Sequence, residues 1–222
     1  MIQFFHVYKS YGLPPRSVLE DISFEIEKGE SVLFYGPTGA GKSTILKLLF
    51  GLEKADTGQI LVLGYNILRL KTQALPYFRR NIGFIFQDFK LFPRRTVYEN
   101  VALAMKVTGA PLPEIQRRTS EVLQAVGLDR KRALFPSMLS AGEQQRVCVA
   151  RAIVNHPAIL LADEPAGNLD TEQAQEILSL LNEINAMGTT VLVATHDREV
   201  VNHMKPRIIA IREGRIEEGG LR

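Results

Sequence analysis

Gly36-Pro37-Thr38-Gly39-Ala40-Gly41-Lys42-Ser43-Thr44 is a glycine-rich run that ends in a lysine and two hydroxyls. Glycines let the backbone curl so that amide hydrogens point inward, and a helix beginning near Lys42 adds the positive end of its dipole. The product is a concave anion site of the P-loop pattern, standing between a strand and a helix as that pattern requires. In it Lys42 reaches the β- and γ-phosphates of a nucleotide, the Ser43 hydroxyl holds Mg²⁺, and Thr44 is a helix residue able to bond phosphate. A glycine turn capping an ordinary helix is the alternative.

Two carboxylates form a second constellation. Ile159-Leu160-Leu161-Ala162 is an apolar run that ends in Asp163-Glu164. Asp163 suits the holding of Mg²⁺ through water beside Ser43. Glu164 stands where a general base could polarise an attacking water. Acidic residues that merely end a strand would look the same in isolation. The loop alone does not choose among kinases, GTPases and motors, but no Asn-Lys-x-Asp guanine-reading motif is present.

A third feature is Leu139-Ser140-Ala141-Gly142-Glu143-Gln144. Ser140 and Glu143 have the spacing of a capping box ahead of the apolar positions Val147, Ala150, Ile153 and Val154. A small-residue helix start is also a second anion site, and one chain with two of them needs a reason.

The elements that must position these groups alternate. Extended segments are expected over Ile2 to Tyr8, Val18 to Ile26 (with Ile22, Phe24 and Ile26 alternating against polar residues), Ser31 to Tyr35, Gln59 to Leu63 and Ile82 to Phe86. A helix follows the P-loop from Ser43 to Phe50. From Thr96 to about Asn155 the pattern turns helical: Ile115, Val122, Leu123 and Val126 share a face and Gly127 caps its end. Strand Ala158 to Ala162, helix Thr171 to Ala186, strand Thr190 to Ala194, helix Asp197 to His203 and a hairpin from Arg207 through Glu213-Gly214 complete the chain. Strands apolar along their whole length suit a parallel sheet covered on both faces. The fold class is therefore α/β, one domain over 1–222, with a core of 1–87 and 158–222, an N-terminal antiparallel β layer and an inserted helical subdomain over about 88–157.

Composition fits this picture. The 222 residues are 45% hydrophobic and 23% charged, and a net charge of +3 is too small to argue for nucleic acid. No apolar run approaches membrane-spanning length, and no secretory signal is expected at Met1-Ile2-Gln3-Phe4-Phe5. The single cysteine, Cys148, lies between two valines in a helical pattern and reads as a buried small residue rather than a reactive one. A reduced, cytoplasmic compartment is expected.

Taken together, these motifs resemble the nucleotide-binding domain of the ABC family from end to end. Leu139 to Gln144 is similar to that family's signature motif, with Ala141 where the family usually has glycine. Gln87 matches its Q-loop, Gly167-Asn168-Leu169-Asp170 its D-loop, His196 its switch histidine and Tyr11 the aromatic that stacks on adenine. The resemblance implies a P-loop fold with a RecA-like core, ATP and Mg²⁺ as ligands, and ATP hydrolysis as the activity. It implies a head-to-tail pair of chains in which each ATP lies between one P-loop and the partner's Ser140, Ala141 and Gly142. Gln87 would then join Ser43 and Asp163 at the metal, Asp170 would border the nucleotide, and Lys42, Gln87, Glu164 and His196 would serve catalysis. It also implies a membrane-embedded partner, with Phe89, Leu91, Phe92 and Pro93 available as the apolar floor of its docking groove.

Within the family, the chain is reminiscent of the subgroup of lipoprotein-release, macrolide-export and cell-division ATPases. The stretches Arg79 to Asp88 and Arg95 to Ala102 look most like the cell-division branch, the FtsE family. That branch implies a homodimer formed on ATP, an FtsX-like membrane subunit, attachment to the inner face of the cell membrane and control of peptidoglycan hydrolases. An export-transporter ATPase is the alternative. A cassette acting on DNA or ribosomes would carry long inserts or a second cassette, and this chain has neither.

Overall fold

In the computed structural model, which describes residues 1–197 and 199–217, seventeen strands and α-helices follow in chain order. They are β1 (Ile2–Tyr11), β2 (Arg16–Ile26), β3 (Ser31–Tyr35), α1 (Lys42–Leu49), β4 (Thr57–Val62), β5 (Tyr65–Asn66), α2 (Leu75–Arg79), β6 (Ile82–Ile85), α3 (Val97–Lys106), α4 (Leu112–Ala125), α5 (Ala141–Ile153), β7 (Ile159–Asp163), α6 (Thr171–Ala186), β8 (Thr190–Thr195), α7 (Glu199–Met204), β9 (Arg207–Arg212) and β10 (Arg215–Ile216).

One sheet runs in the order β10-β9-β3-β8-β7-β6, parallel from β9 to β6 with β10 antiparallel at the edge. The other, β2-β1-β4-β5, is antiparallel. The unbroken apolar strands are explained by the pleat, which sends successive side chains to opposite faces. Leu33, Leu160, Ala162, Val191 and Val193 belong to one core, shared with α3, α5 and α6. Val32, Phe34, Ile159, Leu161, Leu192 and Ala194 belong to the other, shared with α1 and the antiparallel sheet. Both faces are buried, so both must be apolar.

Most expected elements appear within one to three residues of their sequence-based limits. The helix expected at Asp197 to His203 is seen from Glu199 onward; residue 198, and 218–222 of the tail, lie outside the described residues. Composition and pattern missed α2, where Pro76 supplies a helix start, and the two-residue strand β5. Also missed was a capping box on α3: Thr96 Oγ1 accepts from Glu99 N at 3.2 Å while Glu99 Oε2 accepts from Thr96 N at 2.8 Å. The predicted box on α5 is present, with Glu143 N donating to Ser140 Oγ at 3.2 Å and Ser140 N to Glu143 Oε2 at 3.0 Å. Such a cap is worth about 1 kcal/mol. Lys131 adds an ion pair to the same Glu143.

Cys148 is fully buried, and desolvation pushes its thiol up to about 12. It is inert packing, as its neighbours suggested.

Candidate active site

The turn between β3 and α1 owes its shape to two glycines. A Cβ at Gly36 would fall 2.0 Å from the Ile211 carbonyl oxygen. Gly41, with φ of +105°, would drive one to 2.6 Å from Leu19 Cδ2. No other residue type fits either place. Curled in this way, the loop delivers Lys42 and Ser43 at the start of α1. Lys42 Nζ donates to the Gly36 carbonyl at 2.8 Å and to the Pro37 carbonyl at 3.0 Å, and lies 4.0 Å from Glu164 Oε1. Burial lowers the pKa of this ammonium, while Glu164 and Asp163 pull it back up. It is a cation hydrogen-bonded to two neutral carbonyls, with a carboxylate at the limit of ion-pair distance.

The sheet brings the two carboxylates to the same place. Ser43 Oγ donates to Asp163 Oδ1 at 2.7 Å, across 120 residues of sequence. Glu164, the next residue, has φ of +45°, a left-handed conformation that turns it out of the strand direction. Its carboxylate is gripped on both oxygens: Thr195 Oγ1 donates to Oε2 at 2.7 Å, and His196 Nδ1 lies 2.8 Å from Oε1. A cavity of about 140 Å³ is lined by Thr38, Gly39, Lys42, Ser43, Gln87, Glu164, Gly167 and His196. Lys42, Ser43, Gln87, Glu164 and His196 thus meet there, with Asp163 directly behind Ser43. Thr195 was not singled out from the sequence. The available signal was a hydroxyl following the apolar run Val191 to Ala194, immediately before His196.

Ser43, Asp163 and Gln87 offer hydroxyl, carboxylate and amide oxygens, the donor set a hard dication prefers. Asp163 supports that fit. Burial raises its pKa first of all, Glu164 raises it further, and only the Ser43 hydrogen bond and nearby lysines oppose them. An anion so placed is only partly neutralised by the lysines. Because its folded pKa lies above its ordinary value of 3.8, ionisation costs the ligand-free fold stability. That cost is absent well below the ordinary value and complete above the raised one. Asp163→Asn should therefore raise the unfolding temperature of the ligand-free chain at neutral pH, and leave it unchanged in acid where Asp163 is already protonated. It should also abolish the added stability that Mg²⁺ gives the nucleotide complex. Scanning calorimetry at two pH values checks both.

Tyr11 ends β1, half-buried, and shares a hydrogen bond with Thr44; Lys9 Nζ lies 4.8 Å from its ring centroid. Burial raises the pKa of its phenol. A separate cavity of about 500 Å³ borders the outer side of the P-loop, lined by Arg16, Ser17, Val18, Pro37, Thr38, Gly39, Ala40, Glu213 and Gly214.

The expected ligand positions Ser140, Ala141, Gly142 and Asp170 lie elsewhere in the single chain. Ser140, Ala141 and Gly142 do not line the P-loop cavity. Ser140 and Ala141 are exposed at the head of α5, while Gly142 is buried with its Cβ direction closed by Gln173 Oε1 at 2.6 Å. Since Ser140 Oγ accepts from Glu143 N, its hydrogen remains free to donate outward. Asp170 caps α6, accepting from Gln173 N at 2.9 Å, and is likewise absent from the cavity wall. Ala141 takes helical backbone with its methyl in solvent, so glycine there gains no space and loses helix propensity of about 1 kcal/mol. We expect the ATPase rate of Ala141→Gly to stay within about tenfold of the parent; a larger gain would mean the methyl crowds a phosphate.

Of the residues expected to floor a groove, Phe89 and Leu91 pack against the core, whereas Phe92 and Pro93 are exposed. Among the described residues no helix is long and apolar enough to cross a membrane.

Comparison with known proteins gives concordant results. The model of the family described as "ABC transporter" matches residues 19–167. The chain is 49% identical over 216 residues to the cell division ATP-binding protein FtsE of Bacillus subtilis, covering 96% of this chain and 93% of that one. It is 47% identical over 219 residues to the FtsE of Escherichia coli, covering 99% and 98%. Among solved structures, the ATP-binding cassette MJ0796, described as dimeric, in a post-hydrolysis state and bound to ADP and Pi, superposes with a TM-score of 0.90 at 36% identity, covering 98% and 97%.

Proposed function

Since the chain belongs to the ABC transporter family of ATPases, we propose that it is the ATP-hydrolysing subunit of a bacterial cell-division complex, FtsE-like in role, which passes the work of turnover to an FtsX-like membrane partner and so to peptidoglycan hydrolases. The observation that carries this reading is its identity of 47–49% to cell-division ATP-binding proteins over 96–99% of its length. The whole chain would act as one ATPase domain, with its core at 1–87 and 158–222 and the helices of about 88–157 as its inserted lobe.

The chemistry follows from groups already in place. Entering triphosphate replaces the Gly36 and Pro37 carbonyls as acceptor for Lys42, a trade of neutral for charged partners that strengthens each bond. Bound Mg²⁺, held by Ser43 and Asp163 with Gln87 facing the same cavity, would neutralise charge on the β- and γ-phosphates. Glu164, fixed on one oxygen by Thr195, orients a water in line with the γ-phosphate and takes its proton; His196, now on the other oxygen, is within reach to contact the γ-phosphate. Positioning and electrostatics supply most of the rate. Tyr11 offers its ring to adenine. A second copy would add Ser140, Ala141 and Gly142 across the nucleotide, and the outward hydroxyl hydrogen of Ser140 suits that donation. Asp170 would border the same interface while capping α6. The dimeric neighbour supports such a pairing.

Attachment to the inner face of the membrane would then depend on the partner. Isolation of the tagged chain from membranes tests the reading: an FtsX-like four-span protein should copurify. A substrate-carrying permease for lipoprotein, macrolide or peptide export in its place would replace cell division with transport.

A further inference from the structure

The segment that leaves Gln87 is held in a shape its residues do not favour. Phe89 and Lys90 have φ of +57° and +50°, in the left-handed region where Cβ crowds the backbone. Among the described residues this is the only place where two adjacent non-glycine residues both lie there. For a side chain as bulky as Phe89 such a φ is a genuine outlier, and it persists only where the surroundings over-determine it.

The surroundings are supplied by α5. Arg151 Nη1 donates to the Lys90 carbonyl at 2.5 Å and Nη2 to the Phe89 carbonyl at 2.7 Å. Cys148 Sγ donates to the Phe89 carbonyl as well, at 3.2 Å. A planar guanidinium can serve two adjacent carbonyls at once in fixed geometry; an ammonium cannot. Farther along, Phe92 N donates to Asn100 Oδ1 at 2.8 Å, and Asn100 Nδ2 donates to the Arg95 and Thr96 carbonyls at 3.0 and 2.9 Å. Gln87 therefore sits between β6 and a turn fastened at both ends. The helix that fastens it also starts at Ser140, and its Gln145 donates to the carbonyl of Pro165, next to Glu164, at 2.7 Å.

We propose that Arg151 is a positioning residue for the nucleotide site: its fork on the Phe89 and Lys90 carbonyls maintains the left-handed turn that presents Gln87 to the cavity of Ser43 and Glu164, and ties Gln87 to the helix that carries Ser140. This rests on the reading of that cavity as the nucleotide site. Arg151 itself is not part of the cavity wall. If the fork acts by holding a disfavoured backbone, its loss is repairable by changing the backbone preference of the turn. Lys90 is the place to do so, because it is exposed and asparagine enters the left-handed region more readily than lysine.

The test uses the full chain, with Arg151→Met, Lys90→Asn and the double variant. Affinity for a fluorescent ATP analogue is measured in EDTA and in saturating Mg²⁺, beside the unfolding temperature. Arg151→Met should bind within about twofold of the parent in EDTA, since the P-loop is untouched. It should lose about fivefold or more of the tightening that Mg²⁺ confers, and turnover should drop about tenfold. The double variant should recover at least half of both losses, with Lys90→Asn alone close to the parent. Arg151→Lys, which keeps charge and fold but not the fork, should repeat the loss and stands in if the methionine variant unfolds. Undiminished Mg²⁺-dependent tightening in either Arg151 variant overturns the proposal, as does a well-folded double variant that recovers nothing. A parent chain that binds no analogue under either condition overturns the nucleotide reading itself.

Discussion

Glu164→Gln should hold ATP and turn it over about a hundred- to ten-thousandfold more slowly, the range in which a positioned general base contributes. The substitution is close to isosteric, and both anchors survive it, because an amide oxygen still accepts from Thr195 Oγ1 and the remaining amide group still faces His196. What is lost is the capacity to take a proton from water. The left-handed backbone at residue 164 should be kept, since its N donates to the Ala194 carbonyl at 2.8 Å whatever the side chain's charge. Binding and hydrolysis should therefore separate cleanly. A fluorescent analogue should bind as it does to the parent while phosphate release stalls. With Mg²⁺ and ATP the variant should accumulate as a dimer on size-exclusion chromatography, because the triphosphate that joins two copies is no longer cleaved. Hydrolysis within about tenfold of the parent would assign the proton transfer elsewhere.

How much of this could be read before the structure depended on whether the information was local. The P-loop was legible because its function resides in consecutive residues: glycines, lysine and hydroxyl act from one turn, and strand and helix flank it visibly. The α/β class was legible for a similar reason, as Val32-Leu33-Phe34 and Ile159-Leu160-Leu161 are apolar at every position. The capping box at Ser140 and the C-cap at Gly127 were also local spacings, and both are present. Thr96 and Glu99 carry the same box spacing as Ser140 and Glu143, so the cap of α3 was readable and simply not read.

Other features depend on distances that spacing does not encode. Nothing near Glu164 announces that Thr195 will hold its carboxylate from 31 residues away; that meeting requires β7 and β8 to be neighbours with Asp163 opposite Ala194. The glycine at 142 illustrates the same point with a twist. Its family resemblance suggests space for a phosphate, yet within the chain its missing Cβ makes room for Gln173 of α6. Backbone strain is still less visible. Phe89 and Lys90 look like ordinary loop residues until their φ values are known, and Arg151 looks like a surface arginine on a helix. Asp170 shows how one residue carries two readings: its helix-cap bond is plain in a single chain, whereas any part at a nucleotide needs the second copy.

Lys42→Ala should abolish nucleotide binding while sparing the fold, and the reason lies in what the lysine does when no nucleotide is present. Its ammonium rests on the Gly36 and Pro37 carbonyls at 2.8 and 3.0 Å in a buried position, where desolvation lowers its pKa. Glu164 Oε1 at 4.0 Å and Asp163 favour the charge, so removing the ammonium relieves its desolvation cost but leaves two carboxylates less neutralised, and the two effects oppose each other. The cavity beside it opens toward solvent, so water can satisfy the two carbonyls. With triphosphate bound, the balance tips toward the lysine. Two charge-assisted bonds to phosphate oxygens are worth about 1.5–3 kcal/mol each. Their loss weakens affinity by about a hundredfold to ten-thousandfold, enough to leave a micromolar site almost empty at micromolar nucleotide. Circular dichroism melts should place the variant within a few degrees of the parent, and titration with a fluorescent ATP analogue should show no saturation. Saturable binding within about tenfold of the parent would mean that the backbone amides and helix α1 hold the phosphates without the lysine.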